Sequence, residues 1–419
     1  MKVLIISHNC IGNNDNMGRA MQSIFKAFKK TELCQLYIYP SIPDVDYCNS
    51  YYRITDVDVL KKFFSKKWIG HKIDKNEIKH DNALIDSQGL KRVYSSKKNV
   101  CKFFLRDFIW KKEIRNNLKL KEWLNEEKPT HIIVFPGDYC FFYSLVIQIK
   151  EYLNVPLIPY FMDNYFGLQK RSFLEKKYQK RLDKITYKLS QISSLILVLS
   201  KEMNDFYSSS FRKDIKTVML GSNILSRVKI CAHVKSLTYI GNFSNNRDQN
   251  LLDIGNALNH INRISNSSYK LFIYGALENG KTLGLFRNCQ AIEYMGFVKG
   301  KMLEKAFSEA DSFVHVESFD EAYSNLTKYS ISTKISEILS SGRPVFAYGP
   351  DSVASIAYLK RTNSAFVVND ERSLQKSLEY FFLSSDSRFN IVKNATETAA
   401  KDLDCNKNSQ QIYDCFLNI

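Results

Sequence analysis

The sequence predicts an α/β protein built from two successive doubly wound domains. Three observations carry this. Short, continuous apolar runs recur along the chain, as strands buried on both faces do. Helix-spaced segments alternate with them, the pattern of parallel sheets joined by crossover helices. The alternation occurs twice, on either side of a stretch, 222–236, that carries no periodicity and reads as a linker. The domains are placed at 1–225 and 226–404, and the tail 405–419 reads as a helix returning to the first domain. In such folds ligands sit beyond the carboxyl ends of the strands. Two such domains on one linker are expected to face a cleft with those ends.

The first series opens with the strand Val3 to Ile6. The polar stretch Ser7 to Asn16 and Gly18 follow, and Met21, Ile24, Phe25 and Phe28 then fall at helical spacing. Leu36 to Tyr39 reads as a second strand, closed by Pro40, and residues 51–125 are basic, aromatic and weakly periodic. His131 to Phe135 is a strand stopped by Pro136 and Gly137, Phe141 to Tyr152 a helix, and Val155 to Phe161 a strand. Lys170 to Ser190 is a long polar helix, Leu195 to Leu199 a strand, Lys201 to Tyr207 a helix, and Thr217 to Leu220 a strand stopped by Gly221. In the second series the strands are Leu237 to Ile240, Lys270 to Tyr274, Ala291 to Met295, Ser312 to Val316, Val345 to Tyr348 and Ala365 to Val368. Its helices are Asn250 to Ile261, Lys301 to Ala310, Thr333 to Ser340 and Leu374 to Leu383, and Lys407 to Leu417 closes the chain.

The chain has 419 residues and a formal net charge of +17, which asks for an anionic partner. Between Lys61 and Leu124 stand 18 Lys and Arg against 7 Asp and Glu, so much of the excess sits in one segment. Nine cysteines, an odd number with no Cys-x-x-Cys, argue against a disulfide framework or a zinc site. The histidines form no metal-spaced cluster, so no metal is expected. The N-terminal apolar run is too short for a signal peptide, and no run approaches the roughly 20 apolar residues of a spanning helix. The expectation is a cytoplasmic protein, peripheral on the inner face of the membrane.

Two constellations carry candidate chemistry. In the loop Asn13 to Gly18, a glycine opening a helix lets a ligand approach backbone N–H groups where the helix dipole favours an anion. An ordinary strand–helix loop is the commoner reading of such residues, and the full dinucleotide fingerprint is lacking. In Ser330 to Pro344, Ser332 or Thr333 can cap a helix on which Lys334 and Glu337 share a face. A cation there suits a diphosphate, and a carboxylate one turn on suits ribose hydroxyls. A capped helix with a surface ion pair is the alternative. The clusters Lys61 to Trp68 and Lys102 to Lys112 interleave bases with aromatics. They read as a helix lying on anionic lipid or as a core helix with a solvated basic face. Single-stranded nucleic acid is the weaker reading, because no RNA- or DNA-binding module is visible.

The stretch ending Glu337, Gly342-Arg343-Pro344 resembles the signature of GT-B glycosyltransferases of the family-4 type, two Rossmann-like domains facing a cleft. Lys2 to Ser7 with Gly18, Leu195 to Met203, Tyr239 to Arg247, Phe272 to Gly275 and Met295 to Val298 resemble further family segments in the family's order. The resemblance implies a retaining, metal-independent enzyme that moves a hexose-like sugar from a nucleoside-diphosphate donor to a glycan or lipid-linked acceptor. Glu337 would hold the donor ribose; Lys334, Thr333 and the Gly18 amide would face the diphosphate; Arg247 would neutralise it; Val298 would lie near the base. Asp163 stands where many members carry a histidine near the reacting sugar, and Glu317 is the candidate for the first of the family's two glutamates. Three departures stand out. Tyr329 occupies the position eight before Glu337 where that first glutamate belongs, Glu317 falls about a dozen residues early, and Asn242 replaces the basic residue after Gly241. An epimerase or hydrolase of the same fold, or a non-catalytic basic module, are the alternatives.

Overall fold

The apolar runs become strands. The computed structural model describes residues 1–13, 15–65, 70–74, 100–110, 117–222, 233–277 and 280–419, the side chains of 62–65 excepted. The chain divides into two compact units, Met1–Val218 with Asn406–Ile419, and Met219–Cys405. The division thus falls at Val218, before the stretch read as a linker, much of which lies outside the described residues.

The first unit runs β1 (Val3–Ser7), α1 (Asn16–Ile24), β2 (Leu33–Tyr37), β3 (Ser50–Arg53), α2 (Asp56–Ser65), β4 (His71–Lys72), α3 (Val100–Trp110), α4 (Leu118–Glu127), β5 (His131–Val134), α5 (Cys140–Leu153), β6 (Leu157–Phe161), α6 (Phe173–Ile192), β7 (Ile196–Val198), α7 (Lys201–Phe211) and β8 (Ile215–Thr217). Its sheet has the order β4-β3-β2-β1-β5-β6-β7-β8, with β4 antiparallel and the rest parallel. Every residue of β1 is buried, which is why its sequence is a continuous apolar run.

Two strands differ from their predicted bounds. β2 begins at Leu33, three residues before the predicted Leu36, because a buried polar residue sits in its middle. Gln35 Nε2 donates to Ser7 Oγ (2.8 Å) and to the Asn9 carbonyl (3.1 Å), and its Oε1 accepts from Ile11 N (3.1 Å). The last strand, predicted at Thr217 to Leu220, is Ile215–Thr217, an edge strand where a polar Lys216 is tolerated. In the weakly periodic region α3 turns Trp110 into the core, half-buries Phe103 and Phe104, and leaves Leu105 and Phe108 exposed. The other basic residues singled out there, Lys66, Lys67 with Trp68, and Lys111 with Lys112, lie outside the described residues.

The second unit runs β9 (Ser236–Ile240), α8 (Arg247–Ser265), β10 (Lys270–Tyr274), α9 (Gly280–Arg287), β11 (Ile292–Gly296), α10 (Lys301–Glu309), β12 (Phe313–Val316), α11 (Glu321–Thr327), α12 (Lys334–Leu339), β13 (Val345–Tyr348), α13 (Ala354–Arg361), β14 (Phe366–Val368), α14 (Leu374–Leu383) and α15 (Ser385–Asp402). Its sheet is wholly parallel, in the order β11-β10-β9-β12-β13-β14. The last helix, α16 (Cys405–Leu417), belongs from Asn406 onward to the first unit. There Ser409 Oγ donates to the Ile24 carbonyl (2.8 Å) and accepts from Ala27 N (2.7 Å), and the Phe28 ring meets Tyr413 and Phe416.

Both sheets are doubly wound: strand order runs outward one way and then reverses. The reversal falls between β1 and β5 in the first and between β9 and β12 in the second. Such reversal points part the loops at the carboxyl edge and are the usual ligand sites of open α/β sheets. Among the described residues no helix is long and apolar enough to cross a membrane, no cluster of acidic, His or Cys side chains could hold a metal ion, and every cysteine is a free thiol.

Candidate functional site

At the reversal point of the second sheet, two neighbouring strands end in Ile240-Gly241 and Val316-Glu317. The chain after β9 turns through Asn245 and Asn246, both with positive φ near 60°, a conformation Asn tolerates better than most side chains. That turn sets Arg247 at the start of α8. From there its Nη2 donates to both carboxylate oxygens of Glu317, at 2.9 and 3.0 Å, and its Nη1 to Asn242 Oδ1 at 3.1 Å. Glu317 is 2% exposed and is held from several elements. Thr327 Oγ1 at the end of α11 (3.2 Å) and Ser355 Oγ in α13 (3.3 Å) donate to its carboxylate, and Asn250 Nδ2 in α8 donates to its carbonyl (2.9 Å). A side chain at Gly349 would sit 2.9 Å from the Glu317 carbonyl oxygen, so the end of β13 must be bare there.

His315, on β12, places its Nε2 3.0 Å from Ser355 Oγ and 3.5 Å from Glu317 Oε1. Burial outweighs the neighbouring carboxylate and pushes its pKa down to about 4, so the ring is neutral at pH 7. The arrangement is a charge-balanced pair, one guanidinium nitrogen shared by both carboxylate oxygens, inside a shell of neutral donors. This geometry bears on two of the expected site residues. Arg247 was read as the cation for a diphosphate; here its Nη2 is held by Glu317 and its Nη1 by Asn242. Glu317 was read as the first of the family's two glutamates and a catalytic candidate; in the structure its carboxylate is enclosed and its acceptor positions are used.

Lys334 and Glu337 form the second predicted pair. They meet at 2.6 Å across one turn of α12, with side chains 23% and 33% exposed. Thr333 makes no side-chain cap to this helix, while Ser332 Oγ accepts from Lys334 N at 3.4 Å. Val298 lies half-buried two residues beyond β11, in a loop bracketed by Gly296 and Gly300, both with positive φ. Beside it Lys299 Nζ stands 5.2 Å over the exposed Phe297 ring. The strand ends here are bare. A side chain at Gly275 would lie 2.2 Å from the Gly241 carbonyl oxygen, so only glycine lets β9 and β10 finish together.

The remaining predicted residues lie in the first unit. The Gly18 amide, expected to face a diphosphate, donates instead to Asp15 Oδ1 at 2.7 Å, which caps α1. Gly18 is glycine because of its neighbours: a Cβ would stand 2.7 Å from the Gly12 carbonyl oxygen and 2.8 Å from that of Cys10. Asp163 is exposed, two residues past β6. Next to it, Asn164 is buried, accepts from Tyr207 Oη (2.8 Å) and Phe166 N (3.1 Å), and so fixes the strand end that presents Asp163.

His8 was not singled out by the sequence reading. It follows β1 at the reversal point of the first sheet and stacks on Phe142 at 4.1 Å. Its Nε2 is sealed from solvent without a hydrogen-bond partner among the described residues, and Gly137, after β5, makes room for it. Burial and then the Arg106 charge bring its pKa down to about 4. Arg106 itself lies over Tyr139 (4.4 Å) and Phe141 (4.8 Å), with its Nε on Asp56 Oδ1 (3.0 Å). The signal available in the sequence was position alone: a histidine directly after the first buried strand. The residues that hold Glu317, namely Asn250, Thr327, His315 and Ser355, were missed as well, being spread over a hundred positions of chain.

Two doubly wound parallel sheets with these strand orders define a class: the fold is that of the GT-B glycosyltransferases. No family model matches the chain, and no curated protein matches it in sequence. Solved structures do match in fold along its full length. The Anabaena HepE structure in complex with UDP and glucose superposes with a TM-score of 0.65 at 11% identity, covering 100% of both chains. Sucrose-phosphate synthase from Thermosynechococcus elongatus gives 0.63 at 12% identity, covering 100% of this chain and 99% of that one. WaaG, a glycosyltransferase involved in lipopolysaccharide biosynthesis, gives 0.56 at 11%, covering 98% and 99%.

Proposed function

We propose that this protein transfers a hexose-like sugar from a nucleoside-diphosphate sugar to a lipid-linked or surface-polysaccharide acceptor, with retention of configuration and without a metal. The observation that carries the reading is the carboxyl edge of the second sheet. There glycine-ended strands pack side by side, and a half-exposed Lys334–Glu337 pair stands at the start of α12. The fold shared with proteins crystallised with UDP and UDP-glucose supports a nucleotide-sugar donor.

In this reading Glu337 turns from Lys334 to the donor ribose, and the released ammonium meets the diphosphate. Val298 lies near the base, and Thr333 opens the same turn. Charge that develops on the leaving diphosphate is met by Lys334; such electrostatic terms are usually the largest in catalysis. The Arg247–Glu317 pair serves as a rigid support that fixes the ends of β9 and β12. Asp163 is the polar group offered at the reaction centre. The protein works in the cytoplasm, peripheral on the inner face of an anionic membrane, where its acceptor is carried.

Donor binding tests this. At a hundred times its Kd a ligand stabilises the folded protein by about 2.7 kcal/mol, a clear thermal shift. A nucleoside diphosphate or its sugar is expected to produce that shift in the native chain and a markedly smaller one in Glu337→Ala. Absence of a shift across all nucleoside diphosphates sinks the reading. Labelled donor then separates transfer from its alternatives: an isomerised or hydrolysed sugar with no acceptor product would assign an epimerase or hydrolase instead.

A further inference from the structure

The helix α6 carries Lys176, Lys177, Lys180, Arg181, Lys184 and Lys188, all exposed, against two acids. Both acids are engaged: Glu175 closes a capping box with Ser172, and Asp183 accepts from Gly167 N and Gln179 Nε2. Arg181 reaches Asp107 at 3.6 Å and Lys188 reaches Glu151 at 3.7 Å, but Lys176, Lys177, Lys180 and Lys184 make no ion pair among the described residues. At the head of the same helix Phe173 is 78% exposed, with Leu174 beside it.

A second helix continues this surface. α3 packs on α6 through Phe103 and Phe104, which meet Tyr178 at 5.3 Å, and through Phe104 beneath Arg181. Leu105 and Phe108, both 58% exposed, fall on the flank of α3 next to that contact edge. Lys177 and Lys184 fall on the flank of α6 next to the same edge, on the side away from the core. The two outward flanks therefore form one face, in which bare apolar side chains lie among ammonium groups that make no ion pair among the described residues.

We propose that this α3–α6 face docks on an anionic lipid surface. The reasoning is charge complementarity combined with apolar exposure. A headgroup layer offers anions to the lysines and, directly beneath, an apolar phase to Leu105, Phe108 and Phe173. A polyanion in water satisfies only the first. This deepens the membrane partner proposed above and rests on that part of the reading, not on the donor site. It also moves the contact from the segment 61–112 taken alone to a surface centred on α6.

The test is sedimentation of the full chain with vesicles of phosphatidylcholine alone and of phosphatidylcholine mixed with phosphatidylglycerol. Binding is expected only to the anionic vesicles and should weaken as salt rises. Each neutralised lysine is expected to lower the partition coefficient about fivefold, so Lys177→Gln/Lys180→Gln/Lys184→Gln should lower it on the order of a hundredfold. Phe108→Ser/Phe173→Ser should lower it at unchanged charge. Equal binding to neutral vesicles, or a triple variant that partitions like the native chain, overturns the assignment of this face. If the triple variant loses affinity for single-stranded RNA while keeping its vesicle partition, the face belongs to a nucleic acid and the proposal falls. Thermal shift with nucleoside diphosphates, run on the same samples, reads the donor site independently. A failed vesicle test with an intact shift removes the membrane surface alone.

Discussion

At the reversal point of the first sheet an imidazole stands after β1; at that of the second a carboxylate follows β12. His8 lies among aromatic rings with a sealed, unpartnered nitrogen. Glu317 is the more deeply placed, yet its carboxylate has a guanidinium on both oxygens and two hydroxyl donors besides. The same topological position thus hosts two solutions to burying a polar group. One lets the group go neutral; the other keeps the charge and encloses it in partners. The first tolerates loss of the group, the second does not, and the two should part company in every perturbation.

The largest expected difference is in stability. Glu317→Ala removes the carboxylate from the part-buried Arg247, which keeps its bond to Asn242, and leaves the donors of Thr327 and Ser355 without their acceptor, a loss of up to about 3 kcal/mol. Arg247→Met/Glu317→Met removes both charges and should cost less than the single change. Chemical denaturation of the two variants decides it. A loss under about 1 kcal/mol for Glu317→Ala would mean that solvent reaches the pair and that the contrast with His8 is false. His8→Phe, which discards no hydrogen bond, should be near neutral at pH 7.

Acid separates the regions next. His8 and His315 both have folded pKa values of about 4, below the 6.5 of the free side chain. Between those values the unfolded chain binds the proton first, so stability is full above about pH 6.5 and falls as pH drops toward 4. Each ring contributes at most about 3 kcal/mol to that fall, and His8, whose ring is partly exposed, contributes less. His8→Phe should flatten the acid limb without cost at neutral pH. His315→Leu should flatten it too, but at a cost of about 1 kcal/mol at pH 7, because Ser355 loses one of its two partners and keeps only Glu317. Thermal midpoints across pH 4 to 7 test this, and an unchanged limb in both variants would show that other groups govern acid sensitivity.

Gly18→Ala comes third, and it bears on what the sequence could reveal. The new methyl meets two backbone carbonyls at 2.7 and 2.8 Å, neither of which can swing aside, so a loss of about 1–3 kcal/mol is expected. A loss of stability with donor affinity unchanged would confirm that this glycine serves packing. In sequence it looked like a ligand-facing glycine, because a glycine opening a helix has the same pattern for either purpose. Strand positions were legible since parallel strands buried on both faces must be apolar throughout, and β1, β10 and β13 stand almost where the runs placed them. β2 slipped because Gln35 spends its polarity inside the fold. α11 buries little beyond Ser324, so it shows no apolar stripe, and in α15 the stripe of Ile391, Val392, Ala395 and Ala399 is diluted by small residues and by the buried polar Arg388 and Thr398. The Lys334–Glu337 pair was legible from a spacing of three. The Arg247–Glu317 pair joins residues 70 apart, and only the reversal of strand order brings them together.

The smallest effect on stability carries the most weight for function. Lys334 and Glu337 form a half-exposed pair one turn apart, and such pairs contribute about 0–1 kcal/mol. Lys334→Gln and Glu337→Gln should therefore unfold almost where the native chain does, in contrast to any change at Glu317. If the pair opens to receive a nucleoside diphosphate, each variant should nonetheless lose about tenfold or more in donor affinity, the effect of one charge-assisted hydrogen bond. A surface pair without that task predicts the opposite profile, with affinity intact and stability slightly reduced. Denaturation and donor titration of the same two variants thus decide which half of the second sheet's edge is built to hold still and which to bind.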